Sequence, residues 1–313
     1  MMGLKRFLTV TSLLLLFCLS TLAAPPKNKL VSQRYFDIKA PTFEMAKETE
    51  NILLKARDDA ISMMGDDVDR RITIHIVESR DKFNEMTRGA LPDWGIGCAI
   101  PTQDMIVIIS PKTMEYDRPF SEIVRHEWAH IALRHRVGNG YLPRFLDEGF
   151  AMTFANQWNT SYAITLAKSG LTGSWFSLTK IDKVNFFNTS EAQIAYAQSF
   201  QAVQYFLETY GGEAFHILLD KLRDGATLDT ALRESIGAGI QTFETEFNNY
   251  LRKHYSWWVI FTDMSIIWIG LALLIVIGFL IKRKKGQDTV KRWEEEEKYQ
   301  STDFDYEEGD PWD

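Results

Sequence analysis

The chain has 313 residues, two cysteines and a formal net charge of −7 at pH 7. This length suits one sizeable domain or two tightly packed subdomains. The net charge is negative, and no cluster of Lys and Arg forms a basic surface stripe, which argues against a nucleic-acid partner. Cys18 lies in an N-terminal apolar run. If that run is removed, Cys98 has no partner for an internal disulfide, and it is better explained as a buried small residue than as a nucleophile.

The N-terminus has the composition of a secretory signal. Lys5 and Arg6 precede an apolar run at residues 7–22, and the small pair Ala23-Ala24 follows it. We therefore predict a signal peptide at residues 1–24 and an extracytoplasmic domain at residues 25–256.

Three elements are predicted before residue 111. Apolar residues recur at helical spacing over 42–64, which predicts an amphipathic helix. Residues 71–78 alternate between apolar and polar, which predicts a half-buried strand. His75 would lie on the polar face of that strand, where a structural role is favoured over a metal-ligand role. A Gly-containing turn region at 94–97 precedes a second predicted strand at 105–110.

A metal-binding pattern begins at residue 126. His126 and His130 are four residues apart, so on a helix both imidazoles project from one face and can bind one ion. Glu127 is placed to take a proton from water at an open coordination position. Glu148, from a second helix, would complete a His-His-Glu set, which is typical of catalytic zinc. The alternative is an amphipathic helix with solvated or capped histidines.

The chain after the first histidine is predicted to be mostly helical. The first helix would run over 121–137 and end at Gly138, and Pro143 would open the next, with Glu148 in its second turn. Residues 169–190 are rich in Gly, Ser, Thr and Asn, which suggests a mobile loop over a cleft. Four more helices are predicted, at 191–210, 212–223, 227–236 and 240–254.

The C-terminal part carries signals of a membrane anchor. Residues 257–281 are largely apolar, begin with two tryptophans and are followed by four basic residues at 282–285. This pattern predicts a transmembrane helix in contact with membrane lipid, a single-pass location in the cell membrane and a cytoplasmic C-terminus. Residues 282–313 would form the basic cluster and a disordered acidic tail, which is either solvated or a docking segment for a basic cytoplasmic partner.

These motifs resemble those of the gluzincin zinc metallopeptidases, and most closely those of the peptidase MA-like family. The resemblance implies an α+β, zincin-like fold with a small N-terminal sheet, an active helix and a mostly helical C-terminal subdomain, here followed by one transmembrane helix. It implies that one Zn²⁺ is bound by His126, His130 and Glu148, with Glu127 as the base. In such families the strand before the active helix is a sheet edge that pairs with peptide, and residues 105–110 are the candidate, although a core strand explains them equally well.

Two further implications of the resemblance concern the site. Gluzincins commonly place a tyrosine or histidine across the metal to donate a hydrogen bond to the oxyanion, and Tyr196 is the candidate, with simple packing between helices as the alternative. Thermolysin-like enzymes place an aspartate four residues after the third ligand, where this chain has Met152. Asp147 would point elsewhere on the helix, so the partner that orients the histidines is not identified.

The sequence thus predicts a membrane-anchored zinc metallopeptidase acting on a peptide or protein. Endopeptidase activity is favoured because no segment resembles the acidic anchor that an aminopeptidase needs. The alternative is a catalytically silent, membrane-anchored binding or sensing module on the same fold.

Overall fold

The computed structural model describes residues 29–32, 34–89, 95–114, 118–255 and 264–299, which form an α+β protein. The strands are β1 (Lys29–Ser32), β2 (Phe36–Ala40), β3 (Ile72–Val77), β4 (Gly97–Ile100) and β5 (Met105–Ile109). The first four helices are α1 (Phe43–Met64), α2 (Arg80–Thr87), α3 (Phe120–Val137) and α4 (Arg144–Phe154). They are followed by α5 (Thr160–Thr172), α6 (Thr189–Arg223), α7 (Leu228–Ile236), α8 (Ile240–Tyr255) and α9 (Met264–Tyr299).

The strands form one sheet in the order β1-β2-β3-β5-β4. The central pairs β2–β3 and β3–β5 are parallel, and both outer pairs are antiparallel. The alternate isoleucines of β3 are buried in the main core with residues of α1 and α3. On the other face, Val107 and Ile109 form a smaller cluster with Phe83 of α2. The sheet is therefore a layer between α1 and α3 on one side and α2 on the other.

Local signals explain where the site-forming helices begin and end. The Thr42 side chain accepts a hydrogen bond from the Met45 N–H at the start of α1, and Gly65 ends that helix at φ 79°. Helix α3 ends at Gly138, as predicted, but it begins after Pro119 rather than at Ser121. Helix α4 begins after Pro143, so the predicted place of Glu148 in its second turn is confirmed.

The elements with strong periodicity are confirmed, and the short ones were missed. The predicted helix at 42–64 and the predicted strand at 71–78 correspond to α1 and β3. Strands β1, β2 and β4 and helices α2 and α5 were not predicted. Most of them are four or five residues long, which is too short for a pattern to separate them from loops.

Of the two interpretations left open for residues 105–110, the core strand is confirmed and the sheet edge is wrong. Strand β5 has neighbours on both sides, β3 and β4, so residues 105–109 are not the sheet edge. The edge strands are β1 and β4, and β4 begins at Gly97, the last residue of the turn region predicted at 94–97. Gly97 made that segment look like a break in the chain, whereas the pairing of β4 with β5 decides its conformation.

The region predicted as a loop at 169–190 is partly regular structure. It contains the end of α5, a 3₁₀ segment at Leu178–Phe186 and the start of α6. The Phe176 backbone exchanges two hydrogen bonds with the Gln198 side chain, at 2.9 and 3.0 Å. Asp182 accepts a hydrogen bond from the Arg144 N–H at 2.8 Å, which attaches this segment to the start of α4. The two helices predicted at 191–210 and 212–223 form α6, which bends at Gly211 (φ 82°, ψ 172°).

The predicted membrane anchor is not supported. Within the described ranges, every helix is either too short or too polar to cross a bilayer. Residues 257–263 of the predicted span lie outside the described residues, and the rest of it belongs to α9, which continues through the basic residues to Tyr299. The predicted transmembrane helix and the single-pass membrane location are therefore wrong. The acidic tail after the basic cluster was predicted to be disordered, but it is helical as far as Tyr299. Residues 300–313 and the predicted signal peptide at 1–24 lie outside the described residues.

Candidate metal centre

Helices α3 and α4 bring three potential metal ligands together. His126 and His130 lie one turn apart on α3, and their Nε2 atoms are 3.2 Å from each other. The Glu148 Oε2 atom, on α4, lies 3.7 Å from the His126 Nε2 and 3.9 Å from the His130 Nε2. Glu148 is 4% exposed, so its carboxylate is removed from water. Burying this charge costs free energy unless a cation or a hydrogen-bond donor compensates it.

The three residues fit a metal ion. Tetrahedral zinc with bonds of about 2.0–2.1 Å separates its ligand atoms by about 3.4 Å, and the observed separations fall around that value. One ligand atom from each residue can be chosen so that all lie within 4.8 Å of one another. Two imidazoles and one carboxylate also leave the fourth tetrahedral position to water or substrate, as catalytic sites do.

Asp147 orients the second histidine. Its Oδ1 atom lies 2.7 Å from the His130 Nδ1, so this nitrogen donates to the carboxylate and Nε2 faces the centre. Burial alone would lower the pKa of His130, but the charge and hydrogen bond of Asp147 outweigh it and raise that pKa to about 9. Burial would raise the pKa of Asp147, and His130 reverses this and lowers it. The expectation that Asp147 has no such role is wrong, because the side of α4 that it faces is the side occupied by α3.

Glu127 lies beside the ligands at the open edge of the sheet. Burial raises the pKa of its carboxyl to about 7, the charge of Glu148 adds to this effect, and His130 opposes it. The Ala99 backbone N–H of β4 donates a hydrogen bond to this carboxylate. A Cβ atom at Gly97 would stand 2.5 Å from the Glu127 Oε1, so only glycine lets the strand approach the glutamate so closely.

Arg144 and Tyr196 border the same centre. The Arg144 Nη2 donates to the Glu148 Oε1 at 2.6 Å. Tyr196, in the second turn of α6, is hydrogen-bonded to Arg144, and burial followed by the charge of Glu148 raises the pKa of its hydroxyl well above the ordinary value. The phenol therefore keeps its proton throughout the neutral range.

The centre thus contains the four residues proposed from the two motifs, with Tyr196 at its border. Arg144 was not considered from sequence, although its position one turn before the third ligand was a usable signal. His75 lies on the half-buried face of β3, the polar face predicted from the alternating sequence. Cys98 is partly buried in β4, and burial raises the pKa of its thiol to about 12, which favours the unreactive thiol form.

The fold and the centre together define a metallopeptidase-like protein. Two histidines one turn apart and a carboxylate from the following helix form a set that could hold a metal ion, and the buried Glu127 lies beside it at a sheet edge. Residues 56–253, more than half of the chain, match the family model described as the peptidase MA superfamily. The chain belongs to that superfamily, and the predicted resemblance is confirmed. No curated protein shows significant sequence similarity to this chain.

Proposed function

We propose that this protein is a zinc-dependent peptidase, and an endopeptidase rather than an aminopeptidase. The observation that carries the proposal is the convergence of His126, His130 and Glu148 on one point with Glu127 beside it. Membership of the peptidase MA superfamily supports it independently.

Zinc would be held by the two Nε2 atoms of the histidines and by the Glu148 Oε2. When bound, it would supply Lewis acidity, which makes a water molecule more acidic and polarises a peptide carbonyl. Asp147 would hold His130 in the tautomer whose Nε2 is the metal ligand.

Glu127 is the proposed general base. Its carboxylate can accept a proton from the attacking water and return it to the leaving amine within the same cycle. The Ala99 N–H fixes the carboxylate at the sheet edge, and Tyr196 is the proposed donor to the oxyanion that forms on the carbonyl.

Strand β4 is the proposed docking edge for the substrate. The Ile96 carbonyl accepts from the Ile109 N–H of β5, so the alternate residues Gly97 and Ala99 direct their backbone groups away from β5. An extended peptide can pair along this edge and place its carbonyl near Glu127. Recognition through the peptide backbone does not require a chain terminus, which is why we favour endopeptidase activity.

The test compares the full chain with Glu127→Gln, His130→Ala and a control, Glu213→Gln, which changes an exposed glutamate of α6. We expect one zinc per chain in the wild type, in Glu127→Gln and in the control. Cleavage of an unstructured protein should fall by about 10²–10⁴-fold in Glu127→Gln, because the general base is lost. His130→Ala should lose both zinc and cleavage.

Three results would contradict the proposal. Undiminished cleavage in Glu127→Gln would remove this residue from the mechanism. Full zinc content in His130→Ala would place the metal elsewhere. Wild-type protein that carries zinc but leaves every peptide intact would favour a binding module that kept the fold without turnover.

A further inference from the structure

Arg144 occupies a central place in the metal centre that the proposed function does not use. It is the first residue of α4, its side chain is 33% exposed, and it lies one turn before Glu148. The Nη2 atom is 2.6 Å from the Glu148 Oε1, and the Nη1 atom is 3.6 Å from the Asp147 Oδ2. The pKa of Arg144 is raised, primarily by the charge of Glu148, so the side chain is a permanent cation here.

The contact with Arg144 divides the two oxygens of Glu148 between different partners. Oε2 is directed at the two histidine nitrogens, at 3.7 and 3.9 Å, while Oε1 accepts from the guanidinium. A carboxylate whose second oxygen is held by a cation binds a metal through one oxygen. Without this cation, both oxygens are available, and the carboxylate can bind through both.

The two carboxylate oxygens of Asp147 also have different partners. Its Oδ1 accepts from the His130 Nδ1 at 2.7 Å, and its Oδ2 faces Arg144. One guanidinium therefore lies against both the third ligand and the carboxylate that orients the second ligand. The planar fork of arginine can serve two acceptors at once, which the ammonium of lysine does less well.

Arg144 also contacts Tyr196. Because a guanidinium can only donate hydrogen bonds, the phenolic oxygen accepts in this pair, and its O–H takes no part in it. The contact thereby sets the direction of the Tyr196 hydroxyl relative to Glu148.

We propose that Arg144 is a positioning residue that makes Glu148 a one-oxygen ligand, keeps the fourth metal position open and orients Tyr196. This inference rests on the proposed zinc site. Arg144 would thus determine the coordination number of the metal without being a ligand itself.

The experiment uses the full chain as wild type, Arg144→Met, Arg144→Lys and the control Arg233→Met. Arg233 also pairs with a carboxylate four residues away, Asp229 at 2.8 Å, but it lies on the exposed side of α7. Zinc affinity is measured by competition with a chromophoric chelator, and the number of zinc neighbours is measured by X-ray absorption.

We expect Arg144→Met to bind zinc about 10–100-fold more weakly, the usual cost of losing a partner behind a ligand. Its zinc should have five close neighbours instead of four, because Glu148 then binds through both oxygens. Arg144→Lys should restore four neighbours and recover part of the affinity, since an ammonium can still hold Oε1. Arg233→Met should match the wild type in both measurements.

An unchanged affinity in Arg144→Met would overturn the inference. So would a loss of affinity with four neighbours retained, which is the result expected if α4 were merely loosened. If circular dichroism shows that Arg144→Met is unfolded, the test relies on the zinc affinity of Arg144→Lys. This variant is expected to recover only part of the affinity, so an affinity equal to that of the wild type would contradict the inference. Wild-type protein that binds no zinc would contradict the proposed function itself, and the inference with it.

Discussion

At the residue scale, the Nε2 atom of His130 carries a proton where a metal ion would bind. Burial and the neighbouring charges of His130 and Arg118 lower the pKa of His126, whereas Asp147 raises the pKa of His130 to about 9. In the metal-free protein at neutral pH, the His130 Nε2–H therefore donates to the His126 Nε2 across 3.2 Å. A metal ion can bind only after it displaces this proton.

We therefore expect zinc binding at pH 7 to release about one proton per site. Below the His130 pKa of about 9, protons compete with zinc, so the apparent affinity should rise about tenfold for each pH unit from 7 to 9 and then level off. Calorimetry in buffers of different ionisation enthalpy measures the proton release.

Asp147→Asn provides the matched control for this prediction. Without the carboxylate, the pKa of His130 should fall, so proton release should approach zero at pH 7.5 and the pH dependence should flatten. Equal proton release in the variant and the wild type would contradict the assignment to His130.

At the scale of elements, the centre depends on how closely α4 packs against α6. Gly149 follows the third ligand, and a Cβ atom there would overlap the Ser199 carbonyl oxygen of α6. Ser199 lies three residues after Tyr196, so this contact also sets the distance between the phenol and Glu148. The glycine is required by the packing of two backbones, since its own conformation within α4 is helical.

Gly149→Ala should lower the free energy of unfolding by about 1–3 kcal/mol, because neither helix backbone can move without disturbing the core. Gly212→Ala is the control. Gly212 has open space around its Cα and a backbone angle that alanine accepts, so this change should be neutral or stabilise by up to about 1 kcal/mol. Urea unfolding of both variants tests the contrast, and equal free energies would show that α6 yields to the added methyl group.

At the scale of the whole molecule, metal binding would join parts of the chain that are distant in sequence. The ligands come from α3 and α4, and the buried Arg136 of α3 pairs with Asp66, 3.2 Å away, and with Asp220 of α6, 2.8 Å away. Helix α3 is thus connected to the sheet, to α4 and to α6. An ion that binds only the folded chain stabilises all of these contacts together.

Zinc should therefore raise the thermal unfolding temperature of the full chain. At free zinc one hundred times the dissociation constant, the gain is about 2.7 kcal/mol, or roughly 5–10 °C for a domain of this size. Scanning calorimetry of chelator-treated protein with and without zinc measures it. His130→Ala should show no such shift, and an equal shift in that variant would place the stabilising metal outside this centre.

The sequence alone was sufficient to propose the candidate metal ligands and the candidate base. Spacing is a local property, and four residues on a helix amount to about one turn, so His126, Glu127 and His130 could be assigned to one helix without knowledge of the fold. The same argument predicted α1, α3, α4 and the helices after residue 189. The membrane span predicted at 257–281 relied on hydrophobicity instead, and it failed because no described helix is long and apolar enough to cross a bilayer.

Only the tertiary structure decided what surrounds these residues. Whether Asp147 points to His130 depends on the helix that packs beside α4, and whether residues 97–100 form an edge strand depends on their pairing with β5. The position of Arg144 between two carboxylates and Tyr196 likewise arises from contacts among three separate segments. Such contacts join residues far apart in the chain, and no local pattern of spacing or hydrophobicity records them.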